Sequence, residues 1–231
     1  MNKETLKLDQ LTSLRFFAAG MIVIHHSVGL FGTTPLGFNL SQGVSFFFVL
    51  SGFILAYVYP NLSEWSKIKQ FIRARIARIW PAYLVSFLLG FWLLHYNLDI
   101  QKVAAFLLMI QSWIPMSAYY FSYNAVSWSV ATEFFFYLMF PLILLKWNQT
   151  WLLKLVFAAI IVIVIIILSN TLQLPTYNPP SIQNGLVVSE HGLVYISPLS
   201  RIFEFIFGMT IALFWKKRYS IPPIYSPINS L

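Results

Sequence analysis

The sequence contains no cysteine, which removes disulfides, thiolate nucleophiles and cysteine-ligated metals together. It is also short of charge. Only 10% of its 231 residues are Asp, Glu, Lys or Arg, against roughly 25% in soluble domains. Acids are the scarcer kind, seven against 15 Lys and Arg, for a net charge of +8. A soluble globule could not cover its surface with so few charged side chains, and disorder, collagen and coiled coil fail on the same composition. No A-x-A-like cleavage site follows the first apolar run, which begins near Leu11, so that run reads as an uncleaved span and not a signal peptide. Internal repeats and low-complexity tracts are also missing.

What fills the chain is apolar. Hydrophobic residues make up 58% and aromatics 18%, with 22 Phe, 12 Tyr and 8 Trp, and mean hydropathy is +0.73. The fold class expected is all-α, a polytopic transmembrane helical bundle in a single integral membrane domain over 1–231. A crossing needs about 20 mostly apolar residues, and the expected spans are 12–31, 41–59, 79–96, 129–146, 151–169 and 199–215. A seventh run, 103–116, is shorter and carries Pro115, as a re-entrant or interfacial segment does.

Basic residues fall in blocks between these runs, the distribution that sets membrane orientation and not a solvated nucleic-acid surface. Lys3, Lys7 and Arg15, the dense block Lys67, Lys69, Arg73, Arg75 and Arg78, and the final Lys216, Lys217 and Arg218 all read as inside. Residues 170–198 hold Glu190, four prolines and no Lys or Arg, and read as an outside loop. Six crossings satisfy every block, whereas seven would place the last cluster outside. The N-terminus is therefore expected in the cytoplasm.

Ionisable groups inside spans are costly and become candidates for function. Arg15 and His26 lie eleven residues apart, on one helix face with roughly 16 Å of rise between them. With Arg15 at the inner interface, His26 sits near the midplane. A hydrogen bond to a neighbouring helix would account for such a histidine equally well. Residues 66–80 place Ile68, Ile72, Ile76 and Ile79 on one face and basic side chains on the rest, the pattern of an interfacial amphipathic helix. Attraction to anionic lipid explains it, and so does a phosphate clamp made by Arg75 and Arg78. Glu133, one turn after Ser129 and close to Trp128, would orient a histidine, hold a hydroxyl or brace two helices. The run Gly43 to Gly52 needs only close helix packing to explain it.

Taken in order, these pieces resemble the acyltransferase-3 family of integral membrane acyltransferases, which includes bacterial O-acetylases of surface polysaccharides. Arg15-Phe-Phe-Ala-Ala with His26 is similar to the family's first span, and GVSFFFVLSGFIL (43–55) to its second. Arg75-Ile-Ala-Arg78 with Pro81 resembles its Arg-x-x-Arg loop. Trp128-Ser129-Val-Ala-Thr-Glu133 resembles its Trp-Ser-x-x-x-Glu segment, and Arg201 to Gly208 a later span. Family members carry more spans than are present here, so the resemblance implies a copy shortened at its C-terminus.

The resemblance further implies transfer of an acyl group, acetyl foremost, from acyl-CoA to a hydroxyl of a cell-surface or lipid-linked carbohydrate in the inner membrane. It makes His26, Arg15 and Glu133 the catalytic residues, Arg75 and Arg78 the acyl-CoA contacts, and Trp128 and Ser129 the acceptor contacts. Acetyl-CoA is a donor substrate in this reading; no cofactor is bound permanently, and neither metal nor nucleic acid is involved. Membrane lipid completes the list of partners. Two other readings stay open: a proton-coupled transporter or flippase of a glycolipid, which would use the same intramembrane charges, and an inactive truncated remnant.

Overall fold

A computed structural model describes residues 3–27, 40–177 and 183–219. The end of the first expected span (28–31) and Pro179 and Pro180 of the expected outside loop lie outside these. The regular elements among the described residues are helices, without strands: α1 (Lys3–His26), α2 (Gln42–Val58), α3 (Trp65–Leu94), α4 (Ile100–Leu107), α5 (Ser117–Tyr120), α6 (Ser127–Leu144), α7 (Trp147–Thr171) and α8 (Pro198–Tyr219). Three shorter turns intervene, 3-10 at Gln111–Trp113 and Gln183–Gly185 and a π-helical turn at His191–Ile196. Each of the six strong apolar runs has its helix. By length and composition, Trp65–Leu94, Ser127–Leu144, Trp147–Thr171 and the run His191–Arg218 can cross a membrane, and Gln42–Val58 is a shorter apolar helix. The molecule is an all-α, polytopic membrane protein.

The chain divides into two compact units, one drawn from Met1–Pro60 and Glu204–Leu231 and the other from Asn61–Phe203. In the first, small residues let main chains meet. A Cβ on Gly43 would sit 3.0 Å from Ile22 and 3.2 Å from the Ala18 carbonyl of α1. One on Gly52 would overlap the Phe205 carbonyl, and one on Gly208 the Val49 carbonyl. The reciprocal glycines of α2 and α8 thus seat each helix against the other's backbone, as small residues do in membranes. Lys216 then donates from Nζ to the Ala56 carbonyl at 3.0 Å and lies over the Tyr57 ring, closing the last turn of α2.

In the second unit, α3 runs unbroken for 30 residues, about 45 Å. The expected amphipathic segment 66–80 and the expected span 79–96 are therefore one element. Pro81 lies inside it; such prolines persist in membrane helices because neighbours re-satisfy the freed carbonyl. The inward face also differs from the isoleucine stripe. Phe71, Tyr83 and Phe87 are buried, and Ile79 packs on the same aromatic core as Tyr83 and Phe87. The face is thus a four-residue ladder, 71, 75, 79, 83, 87, which carries Arg75 inward while Arg73 and Arg78 stay exposed.

That ladder meets α6 and the segment 99–123. Phe106 lies at the centre, stacked on Tyr83 at 4.5 Å and tilted against Phe87 at 5.3 Å, and Tyr83 donates to its carbonyl at 3.1 Å. Residues 103–116 form no single helix: α4 ends at Leu107, Met109 takes a positive φ of 56°, and Gln111–Trp113 is a 3-10 turn. The buried Gln111 holds this turn by donating to Tyr83 Oη at 2.6 Å and Ser127 Oγ at 3.4 Å.

Candidate active site

Arg15 and His26 both stand on α1, whose residues 13–27 bury little beyond Ala18. Arg15 is half-buried and His26 exposed. The His26 ring is fixed by its own helix, with Nδ1 2.8 Å from the Ile22 carbonyl. A carbonyl only accepts, so Nδ1 carries the hydrogen, and in the neutral ring Nε2 presents its lone pair. His25 meets His26 edge-on at 5.3 Å. Its Nδ1 is buried with no hydrogen-bond partner among the described residues. Of the two adjacent histidines, His26 is the one whose Nδ1 is held by a backbone carbonyl.

The Arg-x-x-Arg and Trp-Ser-x-x-x-Glu segments come together through Tyr137, to which the sequence alone assigned no role. Its hydroxyl donates to Glu133 Oε1 at 2.6 Å, one turn back along α6. The Arg75 guanidinium lies 5.6 Å from the Tyr137 ring centroid and 5.3 Å from that of Phe71, and Phe71 packs edge-on against Tyr137. Arg75, Tyr137 and Glu133 therefore form one cation–aromatic–carboxylate group, with the positive charge over the ring's electron-rich face. Arg78 is exposed and takes no part in it. The signal that was available for Tyr137 is its i,i+4 spacing from Glu133.

Trp128 is buried, 6% exposed, and packs on Tyr195 at 5.3 Å. Ser129 Oγ donates to the Val126 carbonyl at 3.0 Å. Tyr195 belongs to a second cluster that the sequence did not signal. His191 stacks on it at 4.9 Å and 23°, and Arg201 lies over the same ring at 4.7 Å. Tyr120 and Phe121 border His191 at 6.1 and 6.2 Å. The Tyr120 hydroxyl lies 3.2 Å from Ser189 Oγ; burial pushes that phenol above its usual range, so it meets Ser189 as a neutral hydroxyl. Among the described residues no three His, Asp or Glu side chains gather closely enough to hold a metal ion.

The candidate residues thus fall into two sets. Arg15 and His26 belong to the first unit, and Arg75, Arg78, Trp128, Ser129 and Glu133 to the second. The family profile described as an acyltransferase domain matches residues 8–228, a stretch that holds all seven. The chain belongs to the acyltransferase-3 family. Among curated proteins, it is similar to the acyltransferase MdmB of Streptomyces mycarofaciens, with 31% identity over 243 residues that cover 92% of this chain and 59% of that protein. It is also similar to the peptidoglycan O-acetyltransferase OatA of Listeria monocytogenes serovar 1/2a, 27% identical over 236 residues covering 90% of this chain and 34% of that one. This member of the acyltransferase-3 family thus spans about three fifths of the first relative's length and one third of the second's. No solved structure matches it.

Proposed function

We propose that this chain is a membrane-embedded O-acyltransferase that moves an acetyl group from acetyl-CoA to a hydroxyl of a cell-surface or lipid-linked carbohydrate. The observation that carries the proposal is the tautomer of His26, whose Nδ1–H is committed to the Ile22 carbonyl. Nε2 is thereby left to take a proton, which is what acyl transfer to an unactivated hydroxyl demands. In the reaction, Nε2 accepts the acceptor's hydroxyl proton as its oxygen attacks the thioester carbonyl carbon. The C–S bond breaks, the imidazolium returns its proton to the departing sulfur, and an O-acetyl ester and free CoA result. Arg15, half-buried on the same helix, steadies the donor's carbonyl or anionic portion.

Donor binding is assigned to the first half of α3. CoA is cytosolic and polyanionic, and Lys67, Lys69, Arg73 and Arg78 are all exposed there, which supports a cytoplasmic N-terminus and an inner-membrane location. Arg78 offers its guanidinium to a phosphate, and Arg75 joins the donor side to the Tyr137–Glu133 pair. On the acceptor side, Glu133 and Ser129 receive sugar hydroxyls, and Trp128 acts by holding Tyr195. The name of one relative, a peptidoglycan O-acetyltransferase, supports a carbohydrate acceptor.

The test is a transfer assay on purified protein with acetyl-CoA and a carbohydrate acceptor. Acceptor-dependent CoA release is expected from the wild type, and substrate movement with no CoA released would instead indicate a carrier. General-base removal typically costs about 10²–10⁴-fold, so His26→Ala should lose transfer to that extent while inserting and unfolding like the parent. Transfer at the parental rate would remove His26 from the mechanism.

A further inference from the structure

We propose that His191 and Tyr177 form an aromatic corner that binds a sugar ring of the acceptor. This assigns a location to the carbohydrate site and so rests on the function proposed above. The two rings stand nearly perpendicular, 87° apart with centroids at 5.9 Å, so that one is a floor and the other a wall. A pyranose suits such a corner. Its axial C–H face packs on an aromatic face, and its rim of hydroxyls needs polar atoms at the side.

Both polar atoms and access are present. Tyr177 is 50% exposed and its hydroxyl makes no hydrogen bond among the described residues. His191 is half-buried among aromatic rings. Neither of its ring nitrogens bonds to a described residue, and neither is sealed from the surface. Both nitrogens are therefore open to a ligand or to water, one as donor and one as acceptor.

The corner is also rigid, as a binding site must be. Backbone bonds tie its two walls together, from Glu190 N to the Pro175 carbonyl at 2.9 Å and from His191 N to the Thr176 carbonyl at 3.0 Å. Ser189 N donates to the Pro115 carbonyl at 3.1 Å, and its Oγ accepts from Gly192 N at 3.1 Å. Gly192 lies so close to Pro115 that a Cβ there would meet the Pro115 main chain. Tyr195 supports the His191 ring from its face, and Trp128 and Arg201 pack on Tyr195 in turn. The Trp-Ser-x-x-x-Glu segment therefore reaches the sugar through Tyr195. The position within 170–198, the loop without Lys or Arg, agrees with an acceptor on the outer side.

The test uses the full chain in detergent and a soluble peptidoglycan disaccharide as probe, with affinity read by saturation-transfer NMR and acetyl transfer assayed separately. Saturable binding is expected for the parent and for Tyr177→Phe. Tyr177→Ala and His191→Ala should each weaken it about tenfold, the scale of one lost stacking contact. In transfer, the same variants should raise the acceptor KM and leave the acetyl-CoA KM unchanged. Absence of saturable binding to the parent, or equal affinity in Tyr177→Ala, overturns the corner. Binding of the disaccharide with no transfer from acetyl-CoA would uphold the corner and remove the proposed reaction instead.

Discussion

The two sets of candidate residues are held in different ways. On α1, His26 is positioned by one bond to its own backbone, and Phe16, Phe17 and Val23 on the same helix are largely exposed. In Asn61–Phe203, Glu133 is positioned by Tyr137, Tyr137 by Phe71 and Arg75, and Tyr195 by Trp128, His191 and Arg201. The first arrangement separates chemistry from packing, so the imidazole can be changed without disturbing a core. The second makes chemistry a property of the packing, and a change to any ring there moves its neighbours. The difference suits the proposed function, in which the imidazole needs an open lone pair and the groups that orient an acceptor need fixed directions.

The sharpest way to break this comparison is to attack packing in the unit that holds His26 without touching α1. A Cβ at Gly52 would overlap the main-chain carbonyl of Phe205, which cannot rotate away as a side chain would. Gly52→Ala is expected to destabilise by about 3 kcal/mol, the upper part of the overpacking range. Gly20→Ala on α1 meets nothing within 4 Å and should be neutral to slightly stabilising, since alanine is the better helix former. Thermal unfolding in detergent of the two variants measures both. Equal midpoints would mean that α2 and α8 are not seated backbone to backbone, and the unit would be looser than described.

A smaller effect probes the second unit. Tyr137→Phe keeps the ring under Arg75 and removes the 2.6 Å bond to Glu133. A hydrogen bond is worth about 0.5–1.5 kcal/mol net, and the loss should appear in both stability and turnover, with transfer falling about tenfold. If turnover fell and the unfolding midpoint stayed in place, Glu133 would be held independently of the aromatic packing. The contrast with His26 would then narrow.

How much of this could be read from the chain depends on what each feature needs. Apolar runs need only composition, and the six strong ones each became a helix. The direction a helix faces needs its partner, and there the isoleucines misled. Positions 68, 72, 76 and 79 carry a periodicity as good as that of 71, 75, 79, 83 and 87, and only the packing partners decide between them, α6 by burying Phe71 against Phe140 and Tyr137 and α4 by setting Phe106 on Tyr83 and Phe87. That decision separates Arg75 from Arg78, which look equivalent in sequence. The run 103–116 was legible as something less than a span from its length and Pro115. Its positive-φ turn at Met109 was not. His191 left the faintest trace, because its neighbours Tyr120, Phe121 and Tyr177 come from distant stretches and its π-helical turn has no local signature.

The smallest predicted effect lies at the exposed edge of the second unit, where water and not packing sets the energy. Asp99 caps α4: its Oδ1 accepts from Gln101 N at 2.9 Å and Lys102 N at 3.2 Å, and Lys102 Nζ stands 3.6 Å from Oδ2. The Lys102 backbone N–H, first among these, holds the carboxyl below its ordinary value of 3.8. The folded state therefore favours the ionised form more than the unfolded chain does. Its contribution to stability is complete above the ordinary value and drains away as pH falls through the depressed one. Asparagine caps the same N–H groups without titrating, so Asp99→Asn should flatten the part of the acid decline that belongs to this group, in the window that opens at the ordinary carboxylate value and extends below it. Unfolding midpoints across that window, parent against variant, read it directly. Parallel declines would mean that α4 frays before the unit unfolds, and that Phe106 alone anchors the segment to its aromatic core.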